Sequence, residues 1–236
     1  MVTPEVSVIL TYHNRPKMVQ RAIKNIIHQS FKDFELILVD DFSSDPLPMG
    51  EIDFSELNVT FIRNSTNVGA NQSRLNGLNI SNGKYVCFHD DDDYWMNDKL
   101  KKQYEFLEKN PNFHIVTAFV QANNKIIKFP IRPSIFSLSI HNCIGSFSVP
   151  MIRKSQLLFD SLDNSLTNAQ DWNVWRTIRK YHEVASLEDI LVFFDDGTHE
   201  RISSVKNVNQ YYSSYLKVAL VDSPNILVKS YHKSLA

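Results

Sequence analysis

The chain has 236 residues, 25 Lys and Arg against 26 Asp and Glu, and a formal net charge of −1. At 43% hydrophobic and 22% charged residues it holds enough apolar material for one packed domain, which excludes a disordered tail, a collagen or a coiled coil. The balanced charge offers no global basic field for nucleic acid, and two cysteines without a CxxC pair make neither a disulfide scaffold nor a zinc site.

The opening MVTPEVSVIL has no basic segment ahead of its apolar run and does not read as a secretory signal. No apolar run approaches the roughly 18 residues of a membrane span. A reducing cytoplasm is the expected location.

Val6 to Leu10 is a short β-branched run, ended by the polar Thr11 to Pro16. Met18, Ala22, Ile23, Ile26 and Ile27 then recur at helical spacing, with Pro16 suited to a first turn. Phe34 to Val39 reads as a second strand closed by Asp40-Asp41, and Val59 to Ile62 as a third. Gly69 to Leu78 fits a helix broken by Ser81-Asn-Gly83, and Lys84 to Phe88 is a fourth strand running into Asp90 to Asp93. Asn97 is placed to cap a helix carrying Leu100, Tyr104 and Leu107. Beyond it, His114 to Val120 and Lys125 to Phe129 resemble a hairpin across Asn123-Asn124. Ser146 to Ile152 reads as a strand, Asp171 to Tyr181 as a helix, and Leu191 to Phe194 as a short strand. The aromatic, lysine-bearing stretch from Asn207 suggests amphipathic helices. Their apolar faces suit packing on the domain, a homodimer interface or peripheral docking on a membrane surface.

Strands alternating with helices argue for an α/β fold with parallel strands, whose ligands bind beyond the carboxyl ends of the strands. Thr11 to Arg15, Asp40-Asp41 and Asp90 to Asp93 each follow a predicted strand and should converge there. Four adjacent carboxylates repel one another and need a cation or protons. Their hard oxygens favour Mg²⁺ or Mn²⁺, which bind phosphates as well. The bland alternative is a solvated acidic loop. Asp40 suits hydrogen bonds to a nucleobase or ribose, or merely closes a turn. Asn67 to Arg74, with Asn71 inside it, opens a helix whose amides and guanidinium suit a phosphate, or else simply present a basic residue to water. Asp171, beside Trp172, suits a general base with a raised pKa, or a residue favoured by the helix dipole. His199 and Arg201 could add a late metal or phosphate contact.

Together these segments resemble glycosyltransferase family 2, with the GT-A nucleotide-diphospho-sugar fold. The matching pieces are Val6 to Asn14, Leu38 to Asp45, Asn67-Val-Gly69 with Arg74-Leu-Asn76, Gly83 to Asp90, and Asp92-Asp-Tyr-Trp95. Gln170-Asp171-Trp172 and Phe194 to Ser203 match more loosely. The resemblance implies a Rossmann-like, mostly parallel sheet with helices on both faces, a small antiparallel element and C-terminal helices. It implies one domain: a nucleotide-sugar half (1–105), an acceptor half (106–204) and a helical tail (205–236). Thr11, Tyr12, Asn14, Arg15, Asp40, Asn71 and Arg74 would line the nucleotide site. Asp90 and Asp91 would approach ribose or sugar, Asp92 would carry Mn²⁺ or Mg²⁺ with His199 as a further ligand, and Asp171 would be the base. The implied activity is inverting transfer of a hexose from a UDP-sugar, UDP-Gal or UDP-Glc, to a glycan or lipid-linked acceptor in bacterial polysaccharide synthesis. A nucleotide-sugar-binding module and a sugar nucleotidyltransferase are the alternatives. The chain departs from the family pattern at Gln170, where Glu is common, and at Phe42, where Gly is common.

Overall fold

Strand β1 (Val6–Tyr12) is buried along nearly its whole length, and its side chains divide between two cores. Val6, Val8, Leu10 and Tyr12 belong to one, Ile9 to the other, as the two-residue period of a strand requires when both faces are covered. The structure is a computed structural model that describes residues 3–48, 50, 52–55, 57–194 and 217–218. Helix α1 (Pro16–Ile27) lays Val19, Ala22, Ile23 and Ile26 on the first core. Strand β2 (Phe34–Asp40) pairs parallel to β1, and β3 (Asn58–Arg63) parallel to β2.

Helix α2 (Ala70–Ile80) crosses back on the opposite face to β4 (Tyr85–Asp90), which lies parallel to β1 on its other side. Much of α2 is polar. Gly77 lets it lie close on the sheet, since a Cβ there would come within 2.6 Å of Ile9 Cγ2. Gly69, just before the helix, has φ +85, a conformation side chains disfavour.

The chain continues through β5 (Asp93–Trp95), α3 (Lys99–Lys109), β6 (Phe113–Ala122), β7 (Lys125–Ile127), α4 (Ile135–Ile140), β8 (Met151–Arg153), α5 (Gln156–Ser161), α6 (Gln170–Arg179) and β9 (Glu183–Phe194). The strands form one sheet in the order β3-β2-β1-β4-β8-β6-β9-β5, with β7 paired to β6. β8 is antiparallel to β4 and β6, β9 is parallel to β6, and β5 antiparallel to β9. Helices α1 and α3 cover one face; α2, α4, α5 and α6 cover the other. Trp95, Trp172, Trp175 and Cys87 are core residues.

Two expectations are corrected. Ser146 to Val149 turns rather than extends, and only Met151–Arg153 pairs as a strand, because Ser148 is drawn under β4, where its Oγ accepts the Asp90 N–H at 2.8 Å. Asp98, not Asn97, is the N-cap of α3, without a side-chain cap bond; the Asn97 carbonyl instead accepts Ser30 N–H at 2.8 Å. The Asn123-Asn124 hairpin forms, with Ala122 opposite Lys125.

Candidate functional site

Register sets the carboxyl ends of three strands side by side: Tyr12 lies opposite Asp40, Thr11 opposite Asp90, and Asp40 opposite Arg63. The connection from β1 leads to β2 on one side, and the connection into β4 arrives on the other. The crevice at this reversal is where open α/β sheets take ligands.

Asp90 ends β4, Asp91 and Asp92 form the turn, and Asp93 starts β5. Arginine guanidiniums meet this run. Arg74 Nη2 donates to Asp90 Oδ1 at 2.7 Å while its plane lies 4.1 Å from the Phe147 ring centroid. Arg15 Nη1 donates to Asp91 Oδ1 at 3.1 Å and sits 3.5 Å from Asp92 Oδ2. Burial pushes the Asp91 carboxyl up to about 7; Arg15 opposes the shift, and Asp92 and Asp90 add to it. The Asp92 carbonyl accepts from Arg21 at 3.1 Å.

The nucleotide-side residues occupy three different settings. Asp40 is fully buried; Oδ1 accepts Ser43 N–H at 2.8 Å and Oδ2 faces Arg63 Nη1 at 3.4 Å. Among the described residues neither the buried Tyr12 hydroxyl nor the buried Asp40 Oδ2 has a hydrogen-bond partner, and burial, then the Asp40 charge, pushes the Tyr12 hydroxyl up to about 12. Thr11 is half-buried between them and Asp90. Asn14, at φ 55, spends its side-chain oxygen on the Ser44 N–H and hydroxyl and on Asp45 N–H. Asn71 donates to the Asp163 carbonyl at 2.9 Å, while its Oδ1 is buried without a partner among the described residues. Asp41 takes a role its neighbour does not: its carboxylate accepts Val68 N–H at 2.8 Å and Gly69 N–H at 2.9 Å, fixing the loop that enters α2.

Asp171 lies in the first turn of α6, after Ala169 in the left-handed region. Its Oδ1 accepts Trp172 N–H at 2.7 Å, and its Oδ2 accepts the Asn142 amide at 3.0 Å. Burial pushes the Asp171 carboxyl up to about 6; the Trp172 N–H and Arg74 oppose this, and Asp90 adds to it. The base candidate therefore feels both members of the Arg74–Asp90 pair. Asn142 and Arg63 escaped the sequence reading, since neither stands in a motif.

Among the described residues no three His, Cys, Asp or Glu side chains are grouped to hold a metal. The donor chemistry nevertheless fits Mg²⁺ or Mn²⁺. Asp90 to Asp92 offer hard oxygens, and such ions are held by one or two carboxylates with substrate phosphates completing the shell. His199, Arg201 and the tail helices lie outside the described residues, except Lys217 and Val218. Val218 is buried in the second core and Lys217 lies 3.6 Å from Asp163, so this pair packs on the domain itself. No described helix is long and apolar enough to cross a membrane.

A curled, mostly parallel sheet with helices on both faces and an acidic turn after its fourth strand defines a GT-A nucleotide-diphospho-sugar fold. TarS of S. aureus, solved with UDP-GlcNAc, superposes with a TM-score of 0.74 at 20% identity, over 97% of this chain and 69% of that one. The mannosyltransferase PcManGT of Pyrobaculum calidifontis, solved with GDP-Man and Mn²⁺, gives 0.65 at 16% identity, over 99% of this chain and 65% of that one. Residues 7–167 match the profile of glycosyl transferase family 2, and the chain belongs to that family. An uncharacterized glycosyltransferase of Haemophilus influenzae is 31% identical over 71% of this chain, which spans 59% of that relative's length. The putative colanic acid biosynthesis glycosyl transferase WcaA of Escherichia coli is 26% identical over 91% of this chain and 81% of its own. The E. coli UDP-Glc:alpha-D-GlcNAc-diphosphoundecaprenol beta-1,3-glucosyltransferase WfgD is 25% identical over 77% of this chain and 72% of its own.

Proposed function

We propose that this chain transfers a hexose from a UDP-sugar, UDP-Glc or UDP-Gal, to a sugar hydroxyl on a lipid-linked acceptor in bacterial polysaccharide synthesis, with inversion at the anomeric carbon. The observation that carries this reading is the Arg74 guanidinium, bonded to Asp90 at 2.7 Å and electrostatically coupled to Asp171. It links the donor-side carboxylates to a carboxylate of raised pKa. Relatives named for UDP-Glc transfer and colanic acid synthesis support the choice of donor and pathway.

In this mechanism Thr11, Tyr12 and Asp40 flank the nucleoside, and Asn14 holds the loop after β2 in place. Arg15 and Arg74, now paired with carboxylates, are the cations available to a diphosphate. Asn71 braces α2 against the second half, so that Arg74 is aimed inward. Asp92, with Asp90 or Asp91 beside it and His199 as a further ligand, would hold Mn²⁺ or Mg²⁺, whose charge offsets that developing on the leaving nucleotide. Asp171 takes the proton from the acceptor hydroxyl as its oxygen attacks the anomeric carbon. One displacement inverts the centre and requires no enzyme nucleophile.

The test is thermal-shift binding of UDP, GDP and their sugars with Mn²⁺, Mg²⁺ or chelator, followed by transfer to a lipid-linked sugar. Stabilisation by UDP and a UDP-hexose that needs the metal, and that Asp92→Ala abolishes, is the expected result. Binding without turnover on any acceptor would favour a silent binding module. A folded protein that no nucleotide stabilises would overturn the reading.

A further inference from the structure

Residues 109–159 contain no Asp or Glu, although the chain has 26; the stretch carries Lys109, Lys125, Lys128, Arg132, Arg153 and Lys154. Within it, the side chains of Ile126, Ile127, Ile131, Ile135 and Phe136 are exposed, Ile131 at 56% and Phe136 at 53%. These are five of the eleven large exposed hydrophobics among the described residues, gathered in β7, the following loop and the start of α4. Lys125, Lys128 and Arg132 are exposed between them.

The backbone that presents these side chains is fixed. β7 pairs with β6, and half-buried Phe129 packs on the first core. The Ile131 carbonyl accepts Ser186 N–H at 2.9 Å, the Pro133 carbonyl accepts from Arg179 Nε at 2.9 Å, and Ser134 caps α4. The apolar side chains are thus held outward rather than folded under. Of the three acids of neighbouring β9, Glu183 is paired with Arg179 at 3.2 Å and Asp189 with Lys102 at 2.6 Å, and exposed Glu188 makes no ion pair with Lys125, Lys128 or Arg132 among the described residues.

We infer that the β7–α4 segment, residues 125–136, docks the protein on the surface of an anionic lipid bilayer. Apolar side chains interleaved with Lys and Arg, and no acid, are the chemistry that enters a headgroup layer: the Ile and Phe reach the acyl boundary, and the cations stay among phosphates. A protein partner of ordinary surface would meet three basic side chains with no acid to pair its own. Given the proposed transferase reading, docking would also bring lipid-linked acceptors to the base, because the loop after α4 carries Asn142, which holds Asp171.

The test is co-sedimentation of the full chain with vesicles of phosphatidylcholine alone or mixed with phosphatidylglycerol, at low and high salt. Sedimentation with the anionic vesicles should exceed that with phosphatidylcholine about tenfold, and should fall with salt. The pair Ile131→Asp and Phe136→Asp, and separately the triple Lys125→Glu, Lys128→Glu and Arg132→Glu, should each lower it about tenfold. Melting temperature and nucleotide-induced stabilisation should stay as in the parent, which separates docking from misfolding. No sedimentation with anionic vesicles, or sedimentation that both variants retain, would overturn the inference. So would a concentration-dependent dimer that both variants dissolve, which would give the face to a second copy. A failed nucleotide test would sink the transferase reading and leave the vesicle result standing.

Discussion

Asn142 donates its side-chain amide to Asp171 Oδ2 at 3.0 Å, and its own oxygen accepts the N–H groups of Ile144 and Gly145, each at 3.1 Å. The Asn142 amide also donates to the Gly145 carbonyl at 3.1 Å, so three bonds besides the one to Asp171 fix the orientation of the group that orients the carboxylate. The Asn142 bond stabilises the charged form of Asp171, against burial that pushes it up to about 6. Asn142→Ala should shift the acid limb of kcat/KM to higher pH, costing more turnover near about pH 6 than near about pH 8, with donor binding retained. Asp171→Asn should lose roughly 10²–10⁴-fold at every pH. An unmoved acid limb in Asn142→Ala would show that this bond does not set the base.

The raised Asp171 pKa also carries a stability signature. A carboxyl whose folded-state pKa lies above its ordinary 3.8 contributes stability that is complete below the ordinary value and lost as pH rises through about 6. The asparagine variant has no such loss. Between about pH 4 and pH 8 the difference in unfolding free energy should move in favour of Asp171→Asn by ~2–3 kcal/mol. Urea unfolding of both proteins across that range measures it. A difference independent of pH would contradict a raised pKa.

Phe42 sits at φ 61, half exposed, with the Arg63 guanidinium 5.8 Å from its ring centroid. The left-handed region costs a residue with a Cβ about 1–2 kcal/mol, and glycine gives back roughly 0.5–1 kcal/mol through its freer unfolded chain. Phe42→Gly should therefore be more stable than Phe42→Ala by ~0.5–1 kcal/mol, since both lose the ring and only alanine keeps the strain. Equal stabilities in urea would mean that the turn relaxes around alanine.

What the sequence displayed was governed by local pattern. β1, β2 and β4 were legible as apolar β-branched runs ending in polar clusters, and strand-end topology alone predicted that Thr11, Asp40 and Asp90 would adjoin. Elements decided by distant partners were not legible. β5 has three residues and exists because it pairs with β9. Ser146 to Ile152 resembled a strand, yet Phe147 packs edge-on against Phe88 and Trp175 and lies under Arg74. The family resemblance named Asn14 and Asn71 as ligand candidates. Their partners, Ser44 and Asp163, are separated from them by 30 and 92 residues, and no local spacing reveals such pairs.

Lys99 is fully buried, with Nζ bonded to Gln103 Oε1 at 2.8 Å and 3.9 Å from the Trp95 ring centroid. No ion pair joins it among the described residues, and burial pulls it from 10.5 down to about 8. An amine whose folded pKa is depressed binds fewer protons in the native state than in the unfolded chain between those values, so stability rises with pH there. Lys99→Met removes this titration while keeping an unbranched apolar side chain over Trp95. Its stability relative to the parent should be most favourable near about pH 7 and should decline by ~3 kcal/mol toward about pH 10. The comparison cancels the other alkaline titrations, which both proteins share. If the difference stays constant over that range, Lys99 keeps an ordinary pKa, and the Trp95 face with Gln103 is enough to hold a full charge in the core.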